Sequence, residues 1–574
     1  MDFSKINVLG LDVFCKDLVA RDTPYADVRR YGADLTGDSD CTAQVQSAVN
    51  SNASIIVFPN GTYKLSSIKI PSNKLLIGFG TKIIANSNNV FINNSDGSVG
   101  QYDANSNITI VGFDFSADAI GTCTEIGFSH CNNIVIENCS FHDNSAWHMI
   151  ELNSCNNSRI NNCHFYNNKT VSGSSEMLQL DSAVNQGVFP WFGPYDSTPC
   201  KNIIISNCSF DNSSQTKVPD SYNSAIGNHT SAIITNIEIS NCTFTAFGRA
   251  IKFISLYNSS ISNCNFNECC TAINFYGIAQ NILIDSNVIV GNRNNNYSAG
   301  YYYRGIYVSN DSKENKNIIC TNNDVSQCMN HGIAIEGTDC NISNNTVHDN
   351  GVSGIVFGYS SYKSKCCNNL CYNNGSNSTP NSFDLGININ KALDAYGDFV
   401  ISGNNVGRFR CYNLDASAYV PSVITNNICS ELFDPAKNSD GEYFDSVYNN
   451  CTEKTNSEHI VATIQSGAVN YSALTWNTMA EISIAESGFY CINSVCTFST
   501  TNIAITLDIT GGSQVTRQTA TISDKVSTTS INLNNVVYVA KGTILSLRIY
   551  PSSDLSFINN GYLTATRIPI SATH

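Results

Sequence analysis

The chain has 574 residues, of which 31 are Lys or Arg and 46 are Asp or Glu, giving a formal net charge of −15. This acidic balance argues against nucleic acid as the main partner, because binding a phosphate backbone needs a basic surface. Only 13% of the residues are charged, so we expect a neutral or sparsely charged polymer as the partner, although a local basic cleft could override the net charge. No apolar run approaches membrane-spanning length, and no Cys/His spacing is typical of a zinc site. We therefore predict no membrane, metal or cofactor.

The first 30 residues form a short mixed segment without the apolar core of a signal peptide. A segment of this length is too short to bury a core of its own. Two interpretations stay open: a loose leader, or a peptide through which the chain attaches to a larger assembly.

A short amphipathic run at residues 41–49 follows Asp40, a plausible helix N-cap. Strand edges that are left bare pair with other chains. We expect a helix at this position to cover the open first edge of the repeated structure that follows.

A phrase of four residues, Asn-Cys-x-Phe, recurs through the middle of the chain. It begins at Asn138, Asn162, Asn207, Asn241 and Asn263. After Cys264 the cysteine slot carries asparagine, at Asn287, Asn323, Asn345, Asn369, Asn404 and Asn427. Most slots are 22 to 24 residues apart and four intervals are longer; a fixed period of this size predicts a solenoid.

The apolar residues of each repeat alternate with polar ones, as in residues 202–210, which predicts strands. In stacked parallel strands, equivalent side chains of successive rungs are about 4.8 Å apart, so the asparagine slots would form a ladder of amide hydrogen bonds. The alternative, a leucine-rich repeat, needs a Leu-rich consensus and a helical half-repeat, and neither is found. We predict an all-β fold class, with a right-handed parallel β-helix over residues 31–433.

The 24 cysteines recur in register with the asparagine slots or stand in adjacent pairs, such as Cys269 and Cys270. This register indicates small apolar fillers of the solenoid interior and not a disulfide framework. We predict free, buried thiols in a protein that folds in a reducing cytoplasm.

The repeat fades after residue 433, and the polar residues 434–454 indicate a linker. From 455 to 574, short strands alternate with turn signals, which predicts an antiparallel β-sandwich. The phrases Gly488-Phe489-Tyr490, Lys541-Gly542-Thr543 and Gly561-Tyr562-Leu563 resemble the jelly roll of tumour-necrosis-factor-like and complement-like trimeric heads. The resemblance implies trimerisation and glycan binding by this domain.

Residues 31–49, with Tyr31-Gly32-Ala33-Asp34 at their start, and the strands at 57–63 and 75–81 carry a second resemblance. They are similar to the N-terminal signature of pectate-lyase-like β-helix proteins, in particular bacteriophage tailspikes that depolymerise capsular polysaccharide. The usual acidic cluster is reduced here to Asp38 and Asp40. The resemblance implies a homotrimeric virion spike that folds in the host cytoplasm, binds a phage tail or adaptor protein through its N-terminus, and acts on bacterial capsular polysaccharide at the cell surface. It does not specify which bond is cut.

The strand after each ladder slot predicts two outward-facing columns of side chains. One column contains Glu151, Gln179, Gly227, Lys252, Asn274 and Tyr307. The column two residues further on contains Asn153, Asp181, His229, Ile254, Tyr276, Ser309 and Glu336. Because polar and ionisable groups crowd the first half of both columns, we expect the active cleft there.

Glycoside hydrolysis needs two carboxyl groups that flank one bond. Glu151 and Asp181 are expected one rung and two residues apart, which is about 8 Å and within the inverting range of about 6.5 to 9.5 Å. We predict these two as catalytic, with His229 holding or tuning Asp181, and Glu176 and Glu336 in reserve. The competing interpretation for each carboxylate is a solvated outward face.

The longest insertions begin after Cys163 and Cys208, beside this face, and long loops on a rigid scaffold often bind ligands. Aromatic side chains in them would stack on sugar rings or anchor the loops. The predicted substrate-binding residues are His148, Glu176, Gln179, Trp191, Tyr195, Arg249, Lys252, Asn274, Tyr276 and Arg304.

Two other functions stay open. A polysaccharide lyase needs a base and a cation that neutralises a uronate carboxylate, which Lys252, Arg249, Tyr276 and Arg304 could supply, although Lys252 and Arg249 are as well explained by surface ion pairs between rungs. A spike that only adheres to glycan is the third candidate, because a fold does not fix an activity.

Overall fold

The computed structural model divides the chain into two compact units. The first contains residues 1–397, 403–418 and 428–436, and the second contains residues 398–402, 419–427 and 437–574. The residues that the structure describes are 25–95, 97–145, 147–169, 176–184, 192–214, 224–292, 303–309, 314–358, 361–375, 387–389, 400–411, 423–425, 428–432, 450–451, 459–464, 477–483, 488–498, 503–510, 517–522, 529–539, 544–551 and 558–568. Within them, no helix is long and apolar enough to cross a membrane.

The first unit is a solenoid with three parallel sheets, and each rung contributes one strand to each sheet. Sheet 1 contains Ile68–Ile70, Asn89–Asn93, Thr124–Ser129, Ile150–Asn153, Glu176–Asp181, Ser224–Gly227, the first parts of Arg249–Ser262 and Thr271–Asp285, Ile306–Val308, Ile333–Ile335, Ile355–Phe357, Ile387–Ile389 and the end of Asn405–Cys411. Sheet 2 contains Tyr25–Asp27, Ile55–Phe58, the first parts of Lys74–Ala85 and Asn105–Ser116, Cys131–Glu137, Asn156–Asn161, Cys200–Ser206, Ile234–Ser240, the second parts of Arg249–Ser262 and Thr271–Asp285, Lys316–Thr321, Asn341–Ser343 and Lys365–Cys367. Sheet 3 contains Thr36–Asp40, Gly61–Leu65, the second parts of Lys74–Ala85 and Asn105–Ser116, Ser140–His142, His164–Tyr166, Ser209–Asp211, Thr243–Thr245, Asn265–Cys269, Val288–Gly291, Asp324–Ser326, Thr346–His348, Leu370–Tyr372, the start of Asn405–Cys411 and Ile428–Leu432.

The repeated phrase forms ladders in the interior, as predicted. The amides of Asn287, Asn323, Asn345, Asn369 and Asn404 donate to one another in sequence over 2.9 to 3.0 Å. The phenylalanines of the phrase stack with ring centroids 4.6 to 5.1 Å apart. Asparagine contacts asparagine and phenylalanine contacts phenylalanine because the rungs keep the same register from strand to strand.

The 18 cysteines whose side chains the structure describes are free thiols, and 16 of them are buried. They line the interior beside the asparagine ladder, which agrees with their predicted role as fillers.

A short helix covers the first rungs. The helix runs from Thr42 to Val49 and buries Val45, Ala48 and Val49. Its N-cap is Cys41 and not Asp40, which corrects the sequence prediction by one residue. Asp40 still accepts a hydrogen bond of 2.9 Å from the Thr42 N–H.

The solenoid begins earlier than predicted along the described chain. A strand at Tyr25–Asp27 already pairs in parallel with Ile55–Phe58, and a 3-10 turn follows at Val28–Tyr31. The attachment segment predicted for residues 1–30 otherwise lies outside the described residues and stays a prediction.

The second unit contains two antiparallel four-stranded sheets. The first sheet orders His459–Ile464, Ile558–Ile568, Gly488–Phe498 and Thr529–Val539, and the second orders Asn477–Ser483, Ile544–Pro551, Ile503–Thr510 and Arg517–Ile522. Numbered along the chain these orders are 1-8-3-6 and 2-7-4-5, the arrangement of an eight-stranded jelly roll. Three further strands belong to this unit, Val400–Ser402, Val423–Thr425 and Asn450–Cys451. The predicted fold class, a parallel β-helix followed by an antiparallel sandwich, is confirmed; most of the predicted linker at 434–454 lies outside the described residues.

Candidate functional site

The outer face of sheet 1 carries the polar column expected from the sequence. Strand pairing places in register Glu151, Gln179, Gly227, Lys252, Asn274 and Tyr307. The residues that flank the column on the same strands, such as Ile150 and Leu152, are fully buried in the interior. Since side chains alternate along a strand, the column faces outward. The predicted placement is confirmed, and the catalytic roles of its members stay predictions.

Glu151 lies at one end of this column, next to a glycine that an aromatic ring covers. Its partner on the preceding strand is Gly127, and the Phe192 ring lies 3.5 Å from where a Cβ of Gly127 would be. Burial raises the pKa of Glu151 to about 7, in spite of the hydrogen bond of 2.9 Å that Asn153 donates to its Oε1. A carboxyl group with such a pKa is protonated in about half of the molecules at neutral pH, and the protonated form can act as a general acid.

Asp181 lies on the neighbouring strand and is held by four donors. Its Oδ1 accepts from the Ser182 N–H at 2.8 Å and from the Thr230 hydroxyl. Its Oδ2 accepts from the His229 N–H at 3.1 Å and from the Gln179 amide at 3.2 Å. Burial nevertheless raises the pKa of Asp181, against the effect of these hydrogen bonds. The fixed carboxylate is therefore a stronger base than an exposed aspartate.

Glu176, the reserve carboxylate of the sequence analysis, forms the centre of a buried ion-pair cluster. It is fully buried, with Lys252 Nζ 3.1 Å from its Oε1 and His229 Nε2 in contact with its Oε2. Its side chain passes over Gly227, where an added Cβ would lie 3.0 Å from Glu176 Cγ. Burial alone would raise the pKa of Glu176, but the His229 contact and the Lys252 charge lower it to about 2. Glu176 is therefore ionised at neutral pH.

The two histidines of this cluster have opposite protonation tendencies. Burial lowers the pKa of His148 to about 4, and its Nδ1 lies 2.8 Å from the Glu176 backbone oxygen, so the neutral ring donates there. Burial also opposes charge on His229, but contact with Glu176 outweighs it and raises the His229 pKa. His229 does contact Asp181, but it does so through its backbone N–H, while the imidazole turns to Glu176. The charge of His229 also lowers the pKa of Asp181, against the larger effect of burial.

The same cluster has the composition of a metal site. Ligand atoms of His148, Glu176 and His229 all lie within 4.8 Å of one another, and no other such group is found in the described part of the chain. The Lys252 ammonium already balances the charge of Glu176, and a backbone carbonyl occupies Nδ1 of His148. We interpret the cluster as an ion-pair network that needs no cation.

Cations and tyrosines dominate the next rungs. Lys252 Nζ lies 5.7 Å and the Arg249 guanidinium carbon 5.9 Å from the Tyr276 ring centroid. The guanidinium carbon of Arg304 lies 3.9 Å from the Tyr307 ring centroid. Lys252 and Arg249 are only 2% and 8% exposed, so neither is a surface residue. The alternative of an ion pair between rungs holds for Lys252, but its ion pair with Glu176 is buried.

The remaining predicted residues lie apart from this cluster or outside the described residues. Trp191 lies outside them. Tyr195 belongs to a segment tied to an earlier rung, where Asp196 accepts a hydrogen bond of 3.0 Å from the Gln101 N–H. Glu336 lies on a later rung and covers Gly358.

Thr230 and Glu125 had no predicted role in the site, and Phe192 was one of the insertion aromatics expected to stack on sugar rings or anchor a loop. Phe192 and Thr230 lie in irregular segments, where no periodic pattern indicates which strand residue they contact. Glu125 is a fully buried carboxyl whose pKa burial raises well above its usual range, and the Asn144 amide donates to it at 3.3 Å. The sequence could have indicated Glu125 only as an acidic residue at an outward position of the strand that precedes Glu151.

Comparison with known proteins supports the fold. Residues 25–189 match the family model described as rhamnogalacturonase A/epimerase, pectate lyase-like. Tailspike protein 3 of bacteriophage CBA120 aligns with a TM-score of 0.51 at 12% identity, over 72% of this chain and 62% of that chain. A double mutant of the tailspike protein of E. coli bacteriophage HK620 aligns with a TM-score of 0.50 at 12% identity, over 98% of this chain and 96% of that chain. Comparison with curated proteins gives no match.

At such identities these likenesses concern the fold, and the chain spans only about 62% of the length of the CBA120 protein. The matched N-terminal segment coincides with the helix-capped start of the solenoid, where the sequence resemblance lies. The chain thus has the fold of phage tailspike proteins in the pectate-lyase-like parallel β-helix superfamily.

Proposed function

We propose that this chain is a tailspike depolymerase that binds and cleaves a bacterial surface polysaccharide by endo-glycoside hydrolysis. The observation that carries the proposal is a carboxyl group with a pKa of about 7, Glu151, next to the strand that bears Asp181. Two carboxyl groups with distinct environments are what a glycosidase requires.

In this proposal Glu151 protonates the leaving oxygen and Asp181 activates a water molecule. Asn153 pairs with Asp181 across the two strands, so Glu151 is one strand and two residues away. Strand geometry puts that separation at about 8 Å, which favours inversion because a water molecule fits between base and sugar. The raised pKa of Asp181 makes it a better base for that water.

The family match and the fold support a polysaccharide substrate and a phage context. The matched family is named for rhamnogalacturonase A and epimerase and is described as pectate lyase-like. We extend the proposal to a homotrimer on the virion, attached to a tail or adaptor protein through the N-terminus. The jelly-roll order of the second unit supports trimerisation, which would bury exposed flanks against identical copies.

One observation favours a second function, a polysaccharide lyase. The Tyr276 ring is bordered by two cations, Lys252 and Arg249, at 5.7 and 5.9 Å. In a lyase, a tyrosine would act as base while a cation neutralises the substrate carboxylate. In this protein, however, Glu176 already engages Lys252, so hydrolysis is the better-supported reaction.

Product analysis distinguishes these functions. Purified protein is incubated with a panel of bacterial capsular polysaccharides, and new reducing ends and ultraviolet-absorbing double bonds are measured. Hydrolysis predicts reducing ends without double bonds. Double bonds, together with loss of activity in Lys252→Ala and Tyr276→Phe, would replace the hydrolase by the lyase. Binding without any products would leave a glycan adhesin.

A further inference from the structure

Unsatisfied hydrogen-bond donors gather on two adjacent rungs of sheet 1, beyond the catalytic carboxyl groups. Buried polar atoms without a hydrogen-bond partner in the described residues include Thr271 Oγ1, Asn274 Nδ2, Arg304 Nε and Ser309 Oγ. Asn274 is fully buried, and neither end of its amide has a partner there. Native proteins pair nearly all such groups, since each unpaired one costs about 1–3 kcal/mol. Of these four residues, Asn274, Arg304 and Ser309 lie at the outward face, where Arg304 stacks on Tyr307. Unpaired donors on that face indicate a ligand that supplies oxygen acceptors.

The patch is continuous because its members are in register. Asn274 pairs with Tyr307 on the next strand. The guanidinium carbon of Arg304 lies 3.9 Å from the Tyr307 ring centroid, so the stack sits beside the unpaired amide. Stacking on a ring fixes the guanidinium plane and does not use its hydrogen-bonding edge, where the buried Nε has no partner among the described residues. That edge can donate to a planar anion.

The charges around this patch also favour an anion. Ile273 pairs with Ile306, which places Thr271 next to Arg304, and Arg249 pairs with Thr271 on the other side. The two arginines are thus two rungs, or about 10 Å, apart along one edge of the sheet. Glu336 lies at the opposite edge of the sheet, next to Ser309, since Val308 pairs with Ile335. Within the described residues, Arg304 has no carboxylate partner.

We infer that the Arg304–Tyr307–Asn274 patch binds a carboxylate of the polysaccharide, so the substrate is an acidic glycan and not a neutral one. This inference rests on the proposed function for its context and goes against the expectation from the low overall charge. Arg304 takes the carboxylate through its guanidinium edge, Asn274 binds adjacent hydroxyl groups, and Tyr307 stacks on a sugar ring. A neutral polymer would leave Arg304 Nε without an ionic partner.

The test measures binding to a panel of acidic and neutral capsular polysaccharides, each also in a carboxyl-reduced form. The catalytically impaired Glu151→Gln protein is used as the background, so that binding is read without cleavage. We expect binding to an acidic polymer that weakens about 10- to 100-fold on carboxyl reduction, and a similar loss in Arg304→Gln. Arg304→Lys should restore little, because a lysine cannot reproduce the bidentate edge. The matched control is Arg159→Gln, an exposed arginine on sheet 2 paired with Glu137, which should bind as the background does.

The outcomes separate this inference from the proposed function. Equal binding of native and carboxyl-reduced polymer, binding of neutral polymers only, or no binding to any acidic polymer would each overturn the carboxylate patch. A neutral polymer that is nonetheless hydrolysed would overturn the patch and leave the hydrolase standing. Conversely, carboxylate-dependent binding with no cleavage by the wild-type protein would support the patch and remove the hydrolase.

Discussion

Removing the charge of Glu176 should strongly destabilise the solenoid around the candidate site. Glu176 is fully buried, and its partner Lys252 is 2% exposed with Nζ at 3.1 Å. The lowering of the Glu176 pKa from 4.5 to about 2 corresponds to about 3 kcal/mol in favour of the charged form. Breaking a buried pair from one side typically costs about 3–5 kcal/mol. We therefore expect Glu176→Gln to lower the free energy of unfolding by about 3 kcal/mol or more.

Urea-induced unfolding followed by circular dichroism at pH 7 measures this effect. The double variant Glu176→Gln/Lys252→Met should recover part of the loss, because it leaves no unpaired buried ammonium. The control Glu137→Gln removes an ion pair with the half-exposed Arg159 and should cost less than about 1 kcal/mol.

The pH dependence follows from the depressed pKa of Glu176. The stabilisation is present above the unfolded pKa of about 4.5 and is lost as the pH falls through the folded value of about 2. The difference between wild type and Glu176→Gln should therefore shrink below pH 4.5. A cost below about 1 kcal/mol at pH 7, or a difference that grows on acidification, would refute the reasoning.

Four further predictions concern the ladder, a histidine clamp, the pH–rate profile and the thiols. Asn345→Ala removes the acceptor of the Asn323 N–H and amide and should lower the free energy of unfolding in urea by about 2–4 kcal/mol. Asn345→Cys introduces the residue that the rungs up to Cys264 carry in this slot, and it should cost less. A larger loss for Asn345→Cys than for Asn345→Ala would contradict the ladder. Burial disfavours charge on His142, but its contacts with Asp114 and Asp143, here called the histidine clamp, raise its pKa. The stabilisation by the clamp is therefore present below about pH 6.5 and is lost as the pH rises through the folded pKa. The Tm of His142→Gln should fall further below that of the wild type at pH 5.5 than at pH 9, and an equal difference at both pH values would exclude the clamp. Cleavage measured as kcat/KM should fall above about pH 7 as Glu151 loses its proton, and a rate that rises through pH 8 would remove Glu151 as the acid. Thiol titration should find few reactive cysteines in native protein and many after denaturation, since the described cysteines are free and mostly buried; extensive disulfide content would contradict this.

The sequence predicts the solenoid well because its information is periodic. The asparagine slots that ended in a hydrogen-bonded ladder, such as Asn323 and Asn345, are visible as residues that recur one rung apart. Alternation along the strand likewise identifies Glu151 and Lys252 as members of one outward column. Both features depend only on strand geometry and constant register.

The arrangement within the site depends on contacts that periodicity does not encode. Glu176 reaches Lys252 because Gly227 has no side chain in the way, and that passage is a property of packing. The preference of the His229 imidazole for Glu176 over Asp181 is likewise a rotamer choice made inside the folded cluster. The position of Phe192 over Gly127, the strand partner of Glu151, is set by the path of an irregular segment. The contacts with His229 and Lys252 lower the pKa of Glu176, and the contacts with His229 also affect the pKa of Asp181. The protonation states of these carboxylates could therefore not be derived from the sequence.

The most direct test of the central claim compares the depolymerisation rates of Glu151→Gln and wild type on a polysaccharide that the wild type cleaves. The substitution keeps the shape of the side chain and removes the proton that a general acid must donate. We predict unchanged polymer binding and a rate lower by at least about 100-fold, the usual loss when a positioned acid is removed. Glu137→Gln, which removes a carboxylate from sheet 2, should retain the wild-type rate. A near-normal rate in Glu151→Gln would contradict the assignment of Glu151 as the acid and would place the active cleft elsewhere.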